Sequence, residues 1–166
     1  MTKKYCQPIL IVGSKNSGKT KYLQYIFEKL TKHDLKVGGF LCITEQNNFT
    51  KDCYYLYNLR EKTKLLFATK EDSKWPIRYG DYFFNPDAFK YGNQIIKSNL
   101  HADIIIFDEY GPLEEKGEGF SESFNYLLEN YEGVLYISIR PSLLSHLKGL
   151  IVSLKVQKQS IQSKWK

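Results

Sequence analysis

The sequence predicts an α/β fold of three layers, with a mainly parallel central sheet and an added β-hairpin. Short runs of branched aliphatic residues alternate with helical patterns of three- and four-residue apolar spacing at both ends of the chain. The middle of the chain instead holds several strand-like runs between turn signals, which predicts the hairpin near residues 40–68. We expect one domain over residues 1–156 and a basic C-terminal tail over residues 157–166.

The first half of the chain is predicted to begin with a buried strand over Gln7–Val12 and a helix over Thr20–Leu30. The apolar stripe of that helix consists of Tyr22, Leu23, Ile26, Phe27 and Leu30. A second strand lies in Leu35–Thr44, and its paired glycines indicate a bulge or a close backbone approach. Cys53–Leu59 is expected to pair back as a hairpin, and Lys64–Ala68 is a further short strand.

The second half begins with a short strand over Tyr79–Phe84. Asn85 is then predicted to cap a helix that has Pro86 in its first turn, buries Phe89, Ile95 and Ile96, and ends near Ser98. The remaining elements are expected to be a strand over Ala102–Phe107, a helix over Ser121–Tyr131, a strand over Val134–Ile139, a helix over Leu143–Leu147 and a strand over Gly149–Val156.

The composition is that of a globular protein with a core of ordinary size. Hydrophobic residues make up 42% of the 166 residues and charged residues 25%. No apolar stretch approaches the roughly 20 residues that cross a bilayer, and the first strand begins too early to leave room for a signal peptide. Cys6, Cys42 and Cys53 are odd in number and lack metal-type spacing, which indicates reduced thiols. We therefore expect a cytoplasmic protein that does not enter a membrane.

The net charge of +6 is concentrated near the C-terminus. No acidic residue follows Glu132, whereas five lysines do, so residues before them are nearly neutral. A lysine tail can contact nucleic acid or anionic lipid, but such a tail is more often a solvated end. The charge pattern therefore does not favour nucleic-acid binding, and it does not identify a protein partner.

A phosphate-binding loop is predicted directly after the first strand. Residues 13–20, Gly13-Ser14-Lys15-Asn16-Ser17-Gly18-Lys19-Thr20, have the form G-x-x-x-x-G-K-[ST]. Glycines let successive backbone N–H groups point at one phosphate, and the following helix directs the positive end of its dipole there. Lys19 can reach the β- and γ-phosphates, and the Thr20 hydroxyl can hold Mg²⁺. The loop predicts a nucleoside triphosphate as substrate.

Two carboxylates end a second buried strand. Asp108 and Glu109 follow the run Ile104–Phe107. A carboxylate at that position can hold Mg²⁺ opposite Thr20, directly or through water, and Glu109 can orient and deprotonate a water for attack on the γ-phosphate. Together with the phosphate loop, this pair predicts a magnesium-dependent catalytic site.

Arg140 follows the next apolar strand, at the sheet edge where ligands bind in such folds. Its guanidinium could stabilise charge that develops on the phosphates, or it could be a surface or capping arginine. His33, His101 and His146 have no ligand spacing. The sequence contains no Asn-Lys-x-Asp motif that would read guanine, so the base preference stays open.

Several of these segments resemble the small P-loop nucleoside-triphosphatases, which include the thermophile-type enzymes and the cancer-related nucleoside-triphosphatase. The resemblance is carried by the phosphate loop, by Val37-Gly-Gly-Phe-Leu41 and above all by Asp108-Glu-Tyr-Gly-Pro-Leu-Glu-Glu-Lys-Gly-Glu-Gly-Phe120. The segments Tyr79-Gly-Asp-Tyr82 and Ile139-Arg-Pro-Ser-Leu143 are also similar to the family pattern. The resemblance covers residues 7–148, nearly the whole chain.

The resemblance implies a RecA-like P-loop fold and magnesium-dependent hydrolysis of nucleoside triphosphates with broad base tolerance. Lys19, Thr20, Asp108 and Glu109 match the family's functional positions, and Glu114 matches its downstream glutamate. The chain departs from the pattern in residues 44–53, where family members carry arginines and this chain has none. Lys51 is the nearest basic substitute, and slower catalysis or altered specificity would follow from the difference.

The leading hypothesis is hydrolysis of a nucleoside triphosphate to the diphosphate and phosphate. A P-loop kinase that passes the γ-phosphate to a small acceptor is a second hypothesis, although three arginines in the chain do not make an arginine-rich lid. A slow nucleotide-dependent switch read by a partner is a third. The sequence does not identify the physiological substrate, the cellular process or the oligomeric state.

Overall fold

The structure, a computed structural model, describes residues 6–45, 53–71 and 74–163, with side chains described as far as residue 155. Within these ranges the strands are β1 (Gln7–Val12), β2 (Val37–Ile43), β3 (Cys53–Asn58), β4 (Thr63–Thr69), β5 (Ile77–Tyr79), β6 (Tyr82–Phe84), β7 (Ile104–Tyr110) and β8 (Val134–Ile139). The α-helices are α1 (Lys19–Leu30), α2 (Pro86–Ser98), α3 (Pro112–Glu115), α4 (Ser121–Asn130) and α5 (Leu144–Ser163).

The eight strands form one mixed sheet in the order β1-β8-β7-β2-β3-β4-β6-β5. The neighbours β1, β8, β7 and β2 are parallel to one another, and every later pairing in the order is antiparallel. The prediction of a mainly parallel sheet is therefore not confirmed. Short connections between β3 and β4 and between β5 and β6 allow only antiparallel pairing, whereas the parallel strands are joined through helices. The hairpin predicted near residues 40–68 is present as β2–β3–β4.

Strand direction determines which residues meet at one edge of the sheet. Strand β4 runs in the same direction as the four parallel strands, because two antiparallel pairings separate it from β2. The carboxyl ends of β1, β2, β4, β7 and β8 therefore lie at one edge, together with the amino ends of β3 and β6. We call this edge the carboxyl edge, and it holds the phosphate loop, Asp108, Glu109 and Arg140.

Strand β7 is buried on both faces, which explains its continuous apolar run. Ile104 and Ile106 pack in one cluster with Leu23 of α1, whereas Ile105 and Phe107 pack in the other with residues of α2 and α4. Helices thus cover both faces of the sheet at β7. The strand is therefore packed on both faces up to Phe107, the residue before Asp108.

The glycine pair of β2 permits a close approach to β7. Gly39 has a φ of 100°, and a Cβ at this position would meet the backbone of Ile106. A Cβ at Gly38 would meet the side chain of Asn99. The predicted close backbone approach is confirmed, and it sets the spacing between two strands that end at the carboxyl edge.

An aromatic cluster fills the core below the loop that follows β7. The Phe120 ring has its centroid 4.9 Å from those of Phe40 and Phe89, and 5.6 Å from that of Phe67. Aromatic pairs at such spacing contribute about 0.5–1.5 kcal/mol beyond the burial of their area. The cluster therefore anchors the end of the loop that begins after Tyr110.

Several element predictions are confirmed in detail. The Asn85 side chain accepts a hydrogen bond from the Asp87 N–H at 3.0 Å, and Pro86 occupies the first turn of α2. The three residues predicted to be buried in α2, Phe89, Ile95 and Ile96, are all buried. Tyr22 departs from the predicted stripe of α1, because its side chain is 48% exposed. The predicted strand over Tyr79–Phe84 is two strands, since the chain reverses at Gly80 and Asp81.

The predicted strand over Gly149–Val156 is wrong, because α5 occupies this segment. Leu147 is fully buried, and Leu150, Ile151 and Leu154 pack against the same core cluster. These positions recur at helical spacing, so burial of one face outweighs the helix-breaking tendency of a single glycine. The backbone of α5 continues past the boundary predicted at residue 156, and the division into domain and tail stays a prediction. No helix in the described ranges is long and apolar enough to span a membrane.

Candidate nucleotide site

The phosphate loop connects β1 to α1 at the carboxyl edge. Gly18 precedes α1 with a φ of 91°, and Asn16 has a φ of 61°. The Gly13 N–H donates to the Ile139 carbonyl at 3.1 Å, which ties the loop to β8, and the Ser17 N–H donates to Ser14 at 3.2 Å. The strand–loop–helix context that the motif requires is therefore present.

Lys19 folds back over this loop. Its Nζ donates to the Ser14 carbonyl at 2.9 Å, so the ammonium lies at the phosphate loop, at an exposed position. The first turn of α1 contains no acidic residue. The helix dipole and Lys19 therefore direct positive charge at the same place, which suits an anion.

Asp108 is the polar centre of the site and is only 1% exposed. The Thr20 hydroxyl donates to its Oδ2 at 2.8 Å, and the Cys42 N–H donates to the same oxygen at 3.0 Å. The Ser138 hydroxyl donates to Oδ1. Burial raises the pKa of Asp108, while the hydrogen bonds from Ser138, Cys42 and Thr20 act against that rise. The fold thus joins the phosphate loop to the end of β7 through Thr20 and Asp108.

The donor set around Asp108 fits Mg²⁺. A carboxylate and a hydroxyl are hard oxygen ligands, and Mg²⁺ in phosphate sites takes one or two carboxylates, with water and substrate oxygens completing the shell. Within the part of the chain that the structure describes, no group of three or more His, Cys, Asp or Glu side chains forms a metal cage. Thr20 and Asp108 therefore supply oxygen donors of the kind that Mg²⁺ takes.

Glu109 forms an ion pair with Arg140. The Arg140 Nε donates to the Glu109 Oε1 at 2.8 Å. The peptide bond between Asp108 and Glu109 is cis, and the register of β7 against β8 shifts between Phe107 and Tyr110. The sequence left two roles open for Arg140, on the phosphates or at the surface. The structure places its guanidinium at the carboxyl edge, bonded to the predicted catalytic carboxylate of Glu109.

Ser138 and Cys42 contact Asp108 but were not identified from the sequence. Ser138 is fully buried within the apolar strand β8. A polar residue inside such a strand signals a buried partner, and this signal was present in the sequence. Cys42 acts mainly through its backbone N–H, while its thiol donates to the Asp108 carbonyl at 2.8 Å. The residue type does not indicate a backbone contact of this kind, so the contact between the Cys42 N–H and Asp108 could not be predicted from the sequence.

Glu114 organises the loop after β7. Its Oε2 accepts from the Gly111 N–H at 2.9 Å and its Oε1 accepts from the Phe120 N–H at 3.0 Å. Burial raises the pKa of Glu114 to about 7, against the effect of these two hydrogen bonds, and the nearby charge of Glu109 adds to the rise. Glu114, which the family resemblance singled out, therefore links the two ends of this loop through its buried carboxylate.

The three histidines do not join this site. His101 lies 3.1 Å from the Arg60 guanidinium through Nε2, and His146 stacks against Tyr110 with ring centroids 6.3 Å apart. His33 ends the short 3₁₀ turn after α1. Lys51, the expected substitute for the family's arginines, lies outside the described residues.

A phosphate loop whose threonine is bonded to an aspartate at the end of another parallel strand of the same sheet defines a P-loop nucleoside-triphosphate-binding protein. The chain belongs to the NTPase family, because the family model described as NTPase matches residues 8–163. The resemblance that the sequence motifs indicated is thereby confirmed.

Relatives of known name support the same membership. The chain is 32% identical over 129 residues to the nucleoside-triphosphatase THEP1 of Methanocaldococcus jannaschii, covering 76% of this chain and 75% of that protein. It is 26% identical over 130 residues to the THEP1 of Saccharolobus solfataricus, covering 78% and 74%.

Two solved structures share the fold. The crystal structure of THEP1 from Aquifex aeolicus matches with a TM-score of 0.69 at 19% identity, over 90% of this chain and 84% of that chain. The solution structure of a human cancer-related nucleoside triphosphatase matches with a TM-score of 0.68 at 15% identity, over 95% and 98%.

Proposed function

We propose that this enzyme hydrolyses nucleoside triphosphates to the diphosphate and phosphate in a magnesium-dependent reaction at the carboxyl edge. Membership in the NTPase family supports the activity. The observation that carries the site assignment is the convergence of two pairs, Thr20 with Asp108 and Glu109 with Arg140, from three separate segments of the chain. Relatives named nucleoside-triphosphatase support the same reaction.

The phosphate loop binds the triphosphate. Residues 13–20 offer backbone N–H groups to the β-phosphate, and the Lys19 ammonium moves from the Ser14 carbonyl to the β- and γ-phosphate oxygens. Exchange of a neutral carbonyl partner for an anionic one strengthens the hydrogen bond. Substrate binding is therefore expected to depend strongly on Lys19.

Thr20 and Asp108 are the residues that would hold Mg²⁺, by hydroxyl and carboxylate oxygens, directly or through water. The bound ion would neutralise charge on the β- and γ-phosphates. Ser138 and the Cys42 N–H keep the Asp108 carboxylate oriented toward Thr20. The prearranged carboxylate needs little reorganisation when substrate arrives.

Glu109 is the proposed general base. Its carboxylate accepts a proton from a water as the water oxygen forms a bond to the γ-phosphorus, and the bond to the leaving diphosphate oxygen breaks. Arg140 holds Glu109 through one carboxylate oxygen, which leaves the other oxygen for the water. The Arg140 charge also lies where it can stabilise negative charge on the transferring phosphoryl group.

Helices on both faces of β7 support a three-layer, RecA-like arrangement. Three free cysteines support a reducing compartment such as the cytoplasm. We propose broad base tolerance on the family resemblance, with no nucleic-acid partner. A kinase activity is not favoured, since Arg60 and Arg78 are engaged with His101 and Gly80 and do not form a lid.

Phosphate release by the purified protein tests this function. ATP, GTP, CTP and UTP are compared with and without magnesium, beside Lys19→Ala and Glu109→Gln. We expect Lys19→Ala to lose binding and turnover, and Glu109→Gln to keep binding and lose turnover by about 10²–10⁴-fold. Lys21→Ala and Glu115→Gln, which change exposed residues next to the site, serve as charge-matched controls. Wild-type turnover in Glu109→Gln would refute the base assignment, and tight binding without turnover in the wild type would favour the switch.

A further inference from the structure

The turn between β5 and β6 lies at the carboxyl edge. The amino end of β6 lies there because β6 is antiparallel to β4, and the carboxyl end of β5 meets it at the turn. Gly80 has a φ of 58° in this turn, and the Arg78 Nε donates to the Gly80 carbonyl at 3.3 Å. The turn therefore has a defined conformation, and Tyr79 and Tyr82 flank it at the ends of the two strands.

Tyr82 contacts the phosphate loop at this edge. The Nζ of Lys15, a residue of the loop, lies 5.7 Å from the centroid of the Tyr82 ring. This distance is within the range of a cation–π contact, in which the face of the ring attracts the ammonium. The Nζ of Lys70 lies 5.4 Å from the same centroid. The phosphate loop therefore has a side-chain contact with the antiparallel half of the sheet, made by Lys15.

The Tyr82 ring is itself held in place by the sheet. It packs edge-on against the ring of Tyr54 with centroids 5.4 Å apart, and the two side chains share a hydrogen bond. Tyr54 lies on β3 and Tyr82 on β6, which are the two neighbours of β4 in the sheet. Contacts within the sheet thus fix the ring against which the Lys15 ammonium lies.

Lys15 directly precedes a left-handed residue of the phosphate loop. Asn16 has a φ of 61°, and Gly18 has a φ of 91°. Residues in this conformation turn successive backbone N–H groups toward one side, which forms a concave site for an anion. Glycine adopts the conformation readily, whereas a residue with a Cβ, such as Asn16, adopts it at a cost in free energy. A contact that holds Lys15 offsets part of this cost and keeps the loop in the shape that binds a phosphate.

We propose that Tyr82 is a positioning residue of the phosphate loop, whose ring holds Lys15 and so presets the loop for the β-phosphate of the nucleotide. This inference rests on the proposed function and adds to the site a residue from the antiparallel half of the sheet. Nucleoside diphosphates and triphosphates share the β-phosphate, so a preset loop favours both to the same extent. Loss of the contact therefore weakens the binding of both nucleotides without changing the preference between them.

A double-mutant cycle between Lys15 and Tyr82 tests the proposal. Calorimetry with magnesium measures the binding of ADP and of the non-hydrolysable β,γ-imido analogue of ATP to wild type, Lys15→Ala, Tyr82→Leu and the double variant. We expect Tyr82→Leu to weaken both nucleotides about two- to fivefold, the effect of one exposed cation–π contact. The double variant should bind as Lys15→Ala does, because both substitutions break the same contact. Tyr82→Phe keeps an aromatic ring and should bind both nucleotides nearly as wild type does.

Two control variants separate the contact with Lys15 from the other contacts of the turn. Tyr79→Leu removes a similar contact on the other side of the same turn, where the Lys116 Nζ lies 5.6 Å from the centroid of the Tyr79 ring. Lys70→Ala removes the second ammonium from the Tyr82 ring. We expect both controls to bind the two nucleotides as wild type does. Thermal unfolding of every variant measures the effect of each substitution on stability.

Additive effects of Lys15→Ala and Tyr82→Leu would overturn the inference, and so would equal weakening in Tyr79→Leu or Lys70→Ala. Wild-type or tighter binding in Tyr82→Leu would also overturn it, and a lower unfolding temperature in that variant would then make Tyr82 a structural residue only. The proposed function fails separately, if wild type binds both nucleotides but releases no phosphate from ATP, GTP, CTP or UTP. A non-additive cycle would then still support the contact between Tyr82 and the phosphate loop. Absence of nucleotide binding by wild type would overturn both.

Discussion

The Arg140 Nε donates to the Glu109 Oε1 at 2.8 Å, and the two side chains are 33% and 30% exposed. This contact joins the end of β7 to the segment after β8. An ion pair that is one-third exposed contributes only about 0–1 kcal/mol to folding. The main effect of this ion pair is to position Glu109, because it fixes one carboxylate oxygen while leaving the carboxylate accessible to water.

Replacement of Arg140 by alanine should therefore reduce turnover more than stability. We expect kcat to fall about 10²-fold, since Glu109 loses its orientation and the phosphoryl group loses a nearby positive charge. Arg140→Lys keeps the charge without the planar donor, so its kcat should lie between those of wild type and Arg140→Ala. Steady-state phosphate release and thermal unfolding measured on the same samples check this, and an unchanged kcat in Arg140→Ala would make Arg140 a surface or capping residue.

Replacement of Ser138 by alanine should weaken the response to magnesium. Ser138 donates to the Asp108 Oδ1, so its removal leaves the carboxylate less well oriented toward Thr20. Loss of such a supporting hydrogen bond lowers metal affinity about 10–100-fold. The magnesium concentration for half-maximal activity should rise accordingly, and a magnesium titration followed by thermal shift gives a reading independent of turnover.

Ser123→Ala is the control for the loss of a buried hydroxyl. Ser123 is fully buried on α4 and donates to the Phe120 carbonyl at 3.2 Å, away from Asp108. Both serine variants should lose about 1 kcal/mol of stability, but only Ser138→Ala should change the magnesium response. An identical magnesium response in the two variants would contradict the supporting role of Ser138.

Glu114 should make the stability of the protein fall as the pH rises from about 5 to 7. Its pKa is raised by burial from 4.5 to about 7, so between these values the folded state keeps a proton that the unfolded state has lost. The free energy of unfolding therefore falls as the pH rises, by at most about 3 kcal/mol over the whole range, and it stops falling above pH 7. Urea unfolding at several pH values should show a shallower decline for Glu114→Gln. Glu115→Gln, an exposed neighbour, should retain the wild-type decline, and parallel curves for wild type and Glu114→Gln would refute the assignment.

Much of the site could be predicted because its signals are local. The phosphate loop is a contiguous motif, and Asp108 and Glu109 follow a strand whose apolar run identifies it as parallel and buried. Parallel strands end at one edge, so the meeting of Thr20 with Asp108 followed from topology.

The rest depended on tertiary contacts that the local sequence does not encode. The aromatic-rich segment Tyr79–Phe84 does not reveal the reversal at Gly80, which adds one more antiparallel pairing to the sheet. A strand was predicted over Gly149–Val156, but this segment belongs to α5, whose buried face outweighs one glycine. The contacts of the Tyr82 ring with Lys15 and Lys70 form only after β4 and β6 are aligned, since no motif links those residues.

Replacement of Gly39 by alanine should be the most damaging small change in the sheet. Its φ of 100° is strained for any side chain, and an added Cβ would meet the Ile106 backbone, which cannot move without shifting β7. Gly80→Ala is the matched control, because Gly80 also has a positive φ, of 58°, but a Cβ there would meet no atom within 4 Å. Backbone strain alone should cost Gly80→Ala about 1–2 kcal/mol of unfolding free energy. Strain and overpacking together should cost Gly39→Ala about 3–5 kcal/mol.

Because β7 carries Asp108 and Glu109, Gly39→Ala should also reduce kcat below the unfolding temperature, whereas Gly80→Ala should not. Urea denaturation with phosphate-release assays on both variants measures this difference. Equal losses of stability would show that the close approach of β2 and β7 does not depend on the absence of a side chain at Gly39.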